Sequence, residues 1–88
     1  MVLTKAATEA ILDVMMSYGL DPAKFFLEIK EQNGGIGMGF TPHRGGRPLK
    51  FGDLTVLVAY NIDTSGVTVD YREMNGRKGL IFLGENNG

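Results

Sequence analysis

The sequence predicts an α+β domain in which β-structure predominates, with one N-terminal helix followed by at least four strands. Apolar residues recur at helical spacing from Leu3 to Tyr18, and alternating or continuously apolar runs follow at 24–30, 54–60, 67–72 and 79–83. Gly, Pro and Asn clusters separate those runs. With 88 residues, 43% hydrophobic and 22% charged, the chain is one small folding domain, residues 1–88. A domain of this size buries only about two-thirds of its unfolded surface, so its thin core calls for sheets folded over each other or paired with a second chain.

The helix is predicted over Lys5–Tyr18. Leu3, Ala7, Ala10, Ile11, Val14, Met15 and Tyr18 form its apolar stripe, and Lys5, Thr8, Glu9, Asp13 and Ser17 face the other way. Thr4 is placed to cap the N-terminus and Gly19 to stop the helix. The Met15 and Tyr18 stripe can be imagined as a partner groove, but in an amphipathic helix of a small domain core packing is the expectation, through Ile11, Val14 and Met15 above all. Asp21-Pro22 then makes a turn, with Asp accepting local backbone hydrogen bonds and Pro fixing φ.

The first strand is expected at Lys24–Lys30, with Phe25, Leu27 and Ile29 on an apolar face and Phe26, Glu28 and Lys30 opposite. It runs into Asn33-Gly34-Gly35-Ile36-Gly37-Met38-Gly39-Phe40, with four glycines in residues 34–39. The segment Thr41–Pro48 has two prolines and two glycines, which forbid a regular central strand and predict an exposed loop. Leu54–Tyr60 is almost continuously apolar, as expected of a strand covered on both faces. Asn61–Gly66 reads as a turn, Val67–Arg72 alternates strictly, Asn75-Gly76 signals a hairpin turn, and Gly79–Leu83 is a last short strand.

Composition limits the chemistry. Nine basic and ten acidic residues give a net charge of -1, so no global attraction to nucleic acid or an anionic membrane arises. The absence of cysteine removes disulfides, thiolate nucleophiles and thiolate metal sites. No apolar run approaches a membrane span, and the N-terminus carries a helix pattern with acidic residues where a signal peptide would be basic; a cytoplasmic location is the expectation.

The glycine-rich segment fails both phosphate-binding patterns. In G-x-G-x-x-G the third glycine falls on Phe40 or Pro42, and in the P-loop Phe40 stands where a lysine must reach the phosphates. His43, the only histidine, cannot with no cysteine in the sequence assemble a zinc site of the usual kind and reads as an exposed loop residue. Asp53, Asp63, Asp70 and Glu73 lie in different elements with no shared pocket apparent, and read as surface or turn-capping groups. No nucleophile with an adjacent base can be named, so no catalytic residue is assigned.

His43, Arg44, Arg47 and Lys50 form a small basic stretch, with no acidic residue between Glu31 and Asp53. They are the candidate partner-binding loop of an interaction module for protein or nucleic acid. Nucleic acid is the disfavoured partner, because no aromatic residues interleave to stack bases; a charged mobile loop accounts for the same residues.

Taken in order, these elements resemble the HesB/IscA family, the A-type carriers of iron–sulfur cluster assembly. Leu3-Thr4-Lys5-Ala6-Ala7 matches the family's L-T-x-x-A, and Gly19-Leu20-Asp21-Pro22 its G-L-D-P turn. Leu27–Lys30 running into Gly34–Phe40 resembles L-R-I-x-V followed by G-G-C-S-G-F. Gly52-Asp53, Leu54–Ala59, Val69-Asp70-Tyr71, and Gly79–Phe82 with Glu85-Asn86-Asn87 resemble the later G-D, apolar strand, I-D-Y and G-F-x-I-x-N-P-N segments.

The resemblance implies a mixed or antiparallel β-sandwich-like pseudobarrel after the helix, homo-oligomers, iron–sulfur assembly proteins as partners, and iron or a [2Fe-2S] cluster as cofactor. The family's ligands, however, are missing. Its first ligand cysteine aligns with Gly37, or with Ile36 after a one-residue shift, and its C-G-C motif would follow Asn86-Asn87, where only Gly88 stands. The segment between Ala59 and Val67 is also shorter than usual, so a turn of helix or hairpin common in the family is expected to be missing. The expectation is therefore a non-enzymatic scaffold or partner-binding protein that holds no metal or cluster of its own.

Overall fold

A computed structural model describes residues 1–84. The elements run β1 (Val2–Leu3), α1 (Lys5–Ser17), β2 (Phe26–Gln32), β3 (Gly35–Thr41), β4 (Arg47–Phe51), β5 (Leu54–Val58), β6 (Thr68–Met74) and β7 (Arg77–Leu83). They form an α+β domain with two mixed sheets. One has the order β1-β6-β7, with β1 parallel to β6; the other has the order β3-β2-β5-β4, with β2 parallel to β5.

Local chemistry sets the helix ends. The Thr4 hydroxyl accepts from the Ala7 N–H at 3.1 Å, satisfying one of the free donors of the first turn. At the other end Gly19, at φ 71°, donates to the Met16 carbonyl and Leu20 to that of Met15, the paired bonds of a Schellman stop. Tyr18 is the cap and not the last helical residue.

Ala7, Ile11 and Met15 are buried against Leu27 and Ile29 of β2, Leu54, Val56 and Val58 of β5 and Val69 of β6, in one cluster joining the helix to both sheets. The apolar stripe of α1 is wider than the surface that covers it: Val14 is 43% and Tyr18 74% exposed, contrary to the expectation of a wholly packed stripe. Ile11 and Met15 carry the packing, without Val14.

The glycine-rich stretch is a strand. Asn33 (φ 53°) and Gly34 (φ 79°) form a two-residue turn with the left-handed pair of a type I′ hairpin, and β3 then pairs antiparallel with β2 from Gln32↔Gly35 to Phe26↔Thr41. Gly35, Gly37 and Gly39 alternate with Ile36, Met38 and Phe40, so the glycines occupy one face and the apolar side chains the other.

The expected loop at 41–48 also ends earlier, because Arg47 and Pro48 already belong to β4. Pro48 is tolerated because β4 is a sheet edge, where a missing N–H need not break a ladder. Strand β5 is buried along its whole length, Thr55 included, as its nearly continuous apolar run implies, but it ends at Val58, short of the expected Tyr60, which is exposed.

Phe26 departs from the expected polar face. It is buried, with the Arg44 guanidinium 5.0 Å above its ring centroid, and shares the sheet's outer face with the buried Leu57. The Asn75-Gly76 turn forms as expected and joins β6 to β7. Among the described residues no helix is long and apolar enough to cross a membrane. Glu85-Asn86-Asn87, used in the family resemblance, lie outside the described residues.

Candidate functional site

The basic stretch does not converge on one point. His43 is exposed, its backbone N–H held by the Thr41 hydroxyl at 3.1 Å. Arg44 lies on Phe26, and Arg47 donates from its guanidinium to the Ile62 carbonyl. Lys50, on β4, lines a shallow cleft of about 430 Å³ with Arg44, Asp21, Asp53 and Thr55, where two carboxylates balance the two cations. Both arginines are thus engaged within the molecule, and the local excess of positive charge seen along the sequence is reduced in space by Asp21 and Asp53.

Ile36 and Gly37, the positions aligned with the family's first ligand, lie on β3, the outer strand of its sheet. As neighbours in a strand they point to opposite faces. Ile36 is 63% exposed, whereas a Cβ at Gly37 would collide with the Gln32 side-chain oxygen. Among the described residues no three His, Asp or Glu side chains gather where they could hold a metal ion. Cluster irons require thiolates or, at the margin, imidazoles, and the donor set here is one exposed histidine and scattered carboxylates, so the residues do not fit a cluster.

The carboxylates serve the fold. Asp70 accepts from the Thr4 hydroxyl at 2.6 Å, the Tyr71 N–H at 2.9 Å and Arg72 Nε at 2.7 Å. These bonds, that from Thr4 foremost, hold its carboxyl at about 2, below the ordinary carboxylate range. Asp63 is also lowered, chiefly by the hydroxyl and N–H of Ser65, with which it closes the turn before β6.

The feature the sequence reading missed is an apolar groove of about 500 Å³ between α1, β3 and the β6-β7 hairpin, lined by Val14, Leu27, Met38, Phe40, Tyr71 and Leu80 among others. Among the described residues the one carboxylate on its wall is Asp13, and Ser17, also on its wall, has its hydroxyl tied to the Val14 carbonyl at 2.8 Å. Two signals could have located it. The helix stripe is too wide to be covered by a domain this small, and Ile36, Met38 and Phe40 alternate with period two directly after an Asn-Gly turn. The groove can hold apolar side chains and offers no acid–base or nucleophile pair for chemistry. Compared with family models, curated proteins and solved structures, the chain matches none of them.

Proposed function

We propose that this chain is a non-enzymatic protein of the HesB/IscA type, acting in the cytoplasm as a scaffold or partner-binding subunit of iron–sulfur cluster assembly without carrying a cluster. In this reading its two sheets form the sandwich-like pseudobarrel of that family. The observation that best supports it is the hydrogen bond from Thr4 to Asp70. Thr4 belongs to the segment resembling L-T-x-x-A and Asp70 to the segment resembling I-D-Y, so two fragments of the resemblance from opposite ends of the chain meet as one structural unit. The apolar groove supplies a surface for binding, and the missing thiolates argue against a cluster held by this chain alone.

The alternative, an interaction module acting through residues 43–50, is weaker because Arg44 and Arg47 are already engaged. Two measurements test the proposal. Anaerobic reconstitution with iron and sulfide should leave the purified chain colourless after gel filtration, and a tagged chain should retain iron–sulfur assembly proteins from a cytoplasmic extract. A bound brown chromophore at stoichiometric iron would overturn the cluster-free reading. Salt-sensitive retention on nucleic acid, with no assembly protein retained, would replace the proposal by the alternative.

A further inference from the structure

We infer that the outer edge of β3 is a dimerisation surface on which a second copy of this chain pairs antiparallel, strand to strand, about a two-fold axis at Met38. The inference is independent of the iron–sulfur reading and rests on four observations.

The first is that, among the described residues, this edge strand is the long one with no protecting residue anywhere along it. Strand β4 carries Arg47, Pro48 and Lys50, β7 opens with Arg77-Lys78, and β1 is two residues long. Charges, proline and shortness are the devices that stop edges from pairing. Strand β3 has seven residues, Gly35–Thr41, with no charge and no proline, in unbroken register with β2.

The second is the direction of its free hydrogen-bonding groups. The Gln32↔Gly35 pair closes a two-residue turn and so exchanges hydrogen bonds; alternation then turns Gly35, Gly37, Gly39 and Thr41 toward β2. The N–H and C=O groups of Ile36, Met38 and Phe40 are left pointing outward.

The third is that the strand is complementary to itself. Antiparallel pairing about Met38 sets Ile36 against Phe40 of the second copy, Met38 against Met38, and Gly37 against Gly39. The three outward-facing residues become the hydrogen-bonded positions, and the glycine pairs fall at the closer, non-hydrogen-bonded ones. Ile36 and Met38, 63% and 43% exposed in the monomer, are covered by this arrangement. Ile36 of the second copy, opposite Phe40, is carried to the side of the strand where Phe40, Met38 and Val14 line the apolar groove.

The fourth is charge. Glu28 and Lys30 pair with Gly39 and Gly37 across β2 and β3, and their side chains form an exposed ion pair at 3.5 Å on the glycine face. Across the two-fold, Lys30 of one copy and Glu28 of the other stand at opposite ends of one row, about 14 Å apart between Cα atoms at the usual strand spacing. Between them lie Gly39 of the second copy and Gly37, which the Gln32 side chain of its own copy covers, so the two long side chains approach each other from the ends of the row. Within the monomer a Cβ at Gly39 would meet nothing within 4 Å, so that part of the row is open to a second copy, whereas Gly37 already makes room for Gln32.

Light scattering or sedimentation equilibrium of the full chain should give twice the 9.6 kDa monomer mass. Since the chain has no cysteine, Met38→Cys introduces a single thiol that the two-fold sets against its own copy, and mild oxidation should yield a disulfide-linked dimer. Tyr60→Cys, equally single and exposed, should not. Ile36→Lys should produce a monomer with an unchanged circular dichroism spectrum. Should that variant fail to fold, Glu28→Lys should weaken the dimer and Glu28→Lys with Lys30→Glu should restore it. A wild-type chain that is monomeric at every concentration overturns the inference. So does a dimer that survives the folded Ile36→Lys variant, one that Glu28→Lys does not weaken, or one in which Met38→Cys does not cross-link, since it uses another surface.

Discussion

The Thr4 hydroxyl donates to Asp70 Oδ1 at 2.6 Å while accepting from the Ala7 N–H at 3.1 Å, so a single oxygen both caps α1 and fastens it to β6, 66 positions along the chain. The same carboxylate accepts from Arg72 and from the Tyr71 N–H. Replacing Thr4 by Ala removes the cap and should cost about 1 kcal/mol of stability. Urea unfolding midpoints of the two proteins measure it, and equal midpoints would show that the cap is dispensable.

Asp70 makes stability depend on acid in a defined direction. Its carboxyl is held at about 2, below its unfolded value near 4, so its stabilisation is complete above that unfolded value and is lost as pH falls from about 4 through about 2. Asp70→Asn should be less stable than wild type at neutral pH, and the two stability curves should converge toward pH ~2. Urea midpoints collected across that range provide the check; curves that stay parallel would exclude Asp70 as a source of the acid dependence.

The two sides of the helix stripe should respond differently. Ile11 is 4% exposed within the central cluster, and Ile11→Ala should cost about 2–4 kcal/mol through lost burial and the cavity left behind. Val14→Ala, at a position open to the groove, should cost less than about 1 kcal/mol. Thermal melts at one protein concentration compare them, and equal losses would contradict the exposure of Val14.

Gly46 holds φ 77° with the Val58 carbonyl where a Cβ would go, while Gly79 has open space around it. Gly46→Ala should therefore destabilise by more than about 1 kcal/mol, through strain and collision together. Gly79→Ala, in a strand with no such constraint, should be neutral or stabilising by up to about 1 kcal/mol. Chemical denaturation of both variants distinguishes a glycine that the backbone needs from one that it does not.

Arg44 is predicted to act on stability. Its guanidinium covers the Phe26 ring at 5.0 Å, so Arg44→Ala should cost about 0.5–1 kcal/mol and Arg44→Lys less. An Arg44→Ala protein as stable as wild type would return this side chain to the pool available for partners.

Much of the fold was legible along the chain where short-range chemistry decides structure. The Asn75-Gly76 turn and the start of the almost continuously apolar β5 are where residue type and period place them. Strand β3 was equally local in origin. Asn33-Gly34 is the same hairpin signal as Asn75-Gly76, but residue type alone assigns no strand after it, because alternate glycines remove side chains from one face and hide the period of the other. The groove was less legible, since periodicity says which side of an element is apolar and nothing about how far its neighbours extend over it.

By itself the sequence determined the helix and its caps, the chain's lack of thiolate ligands, and the strands whose apolar periods are unbroken, because these depend on residues within a few positions of one another or on composition alone. Tertiary structure decided the rest. It buried Phe26 beneath Arg44, 18 positions away, engaged Arg47 with the Ile62 carbonyl, left Val14 and Tyr18 uncovered, and put β3 at an open edge beside the groove. Burial and pairing are properties of what lies opposite a residue, and what lies opposite is set by β2 running parallel to β5 and by the length of the strands that cover α1.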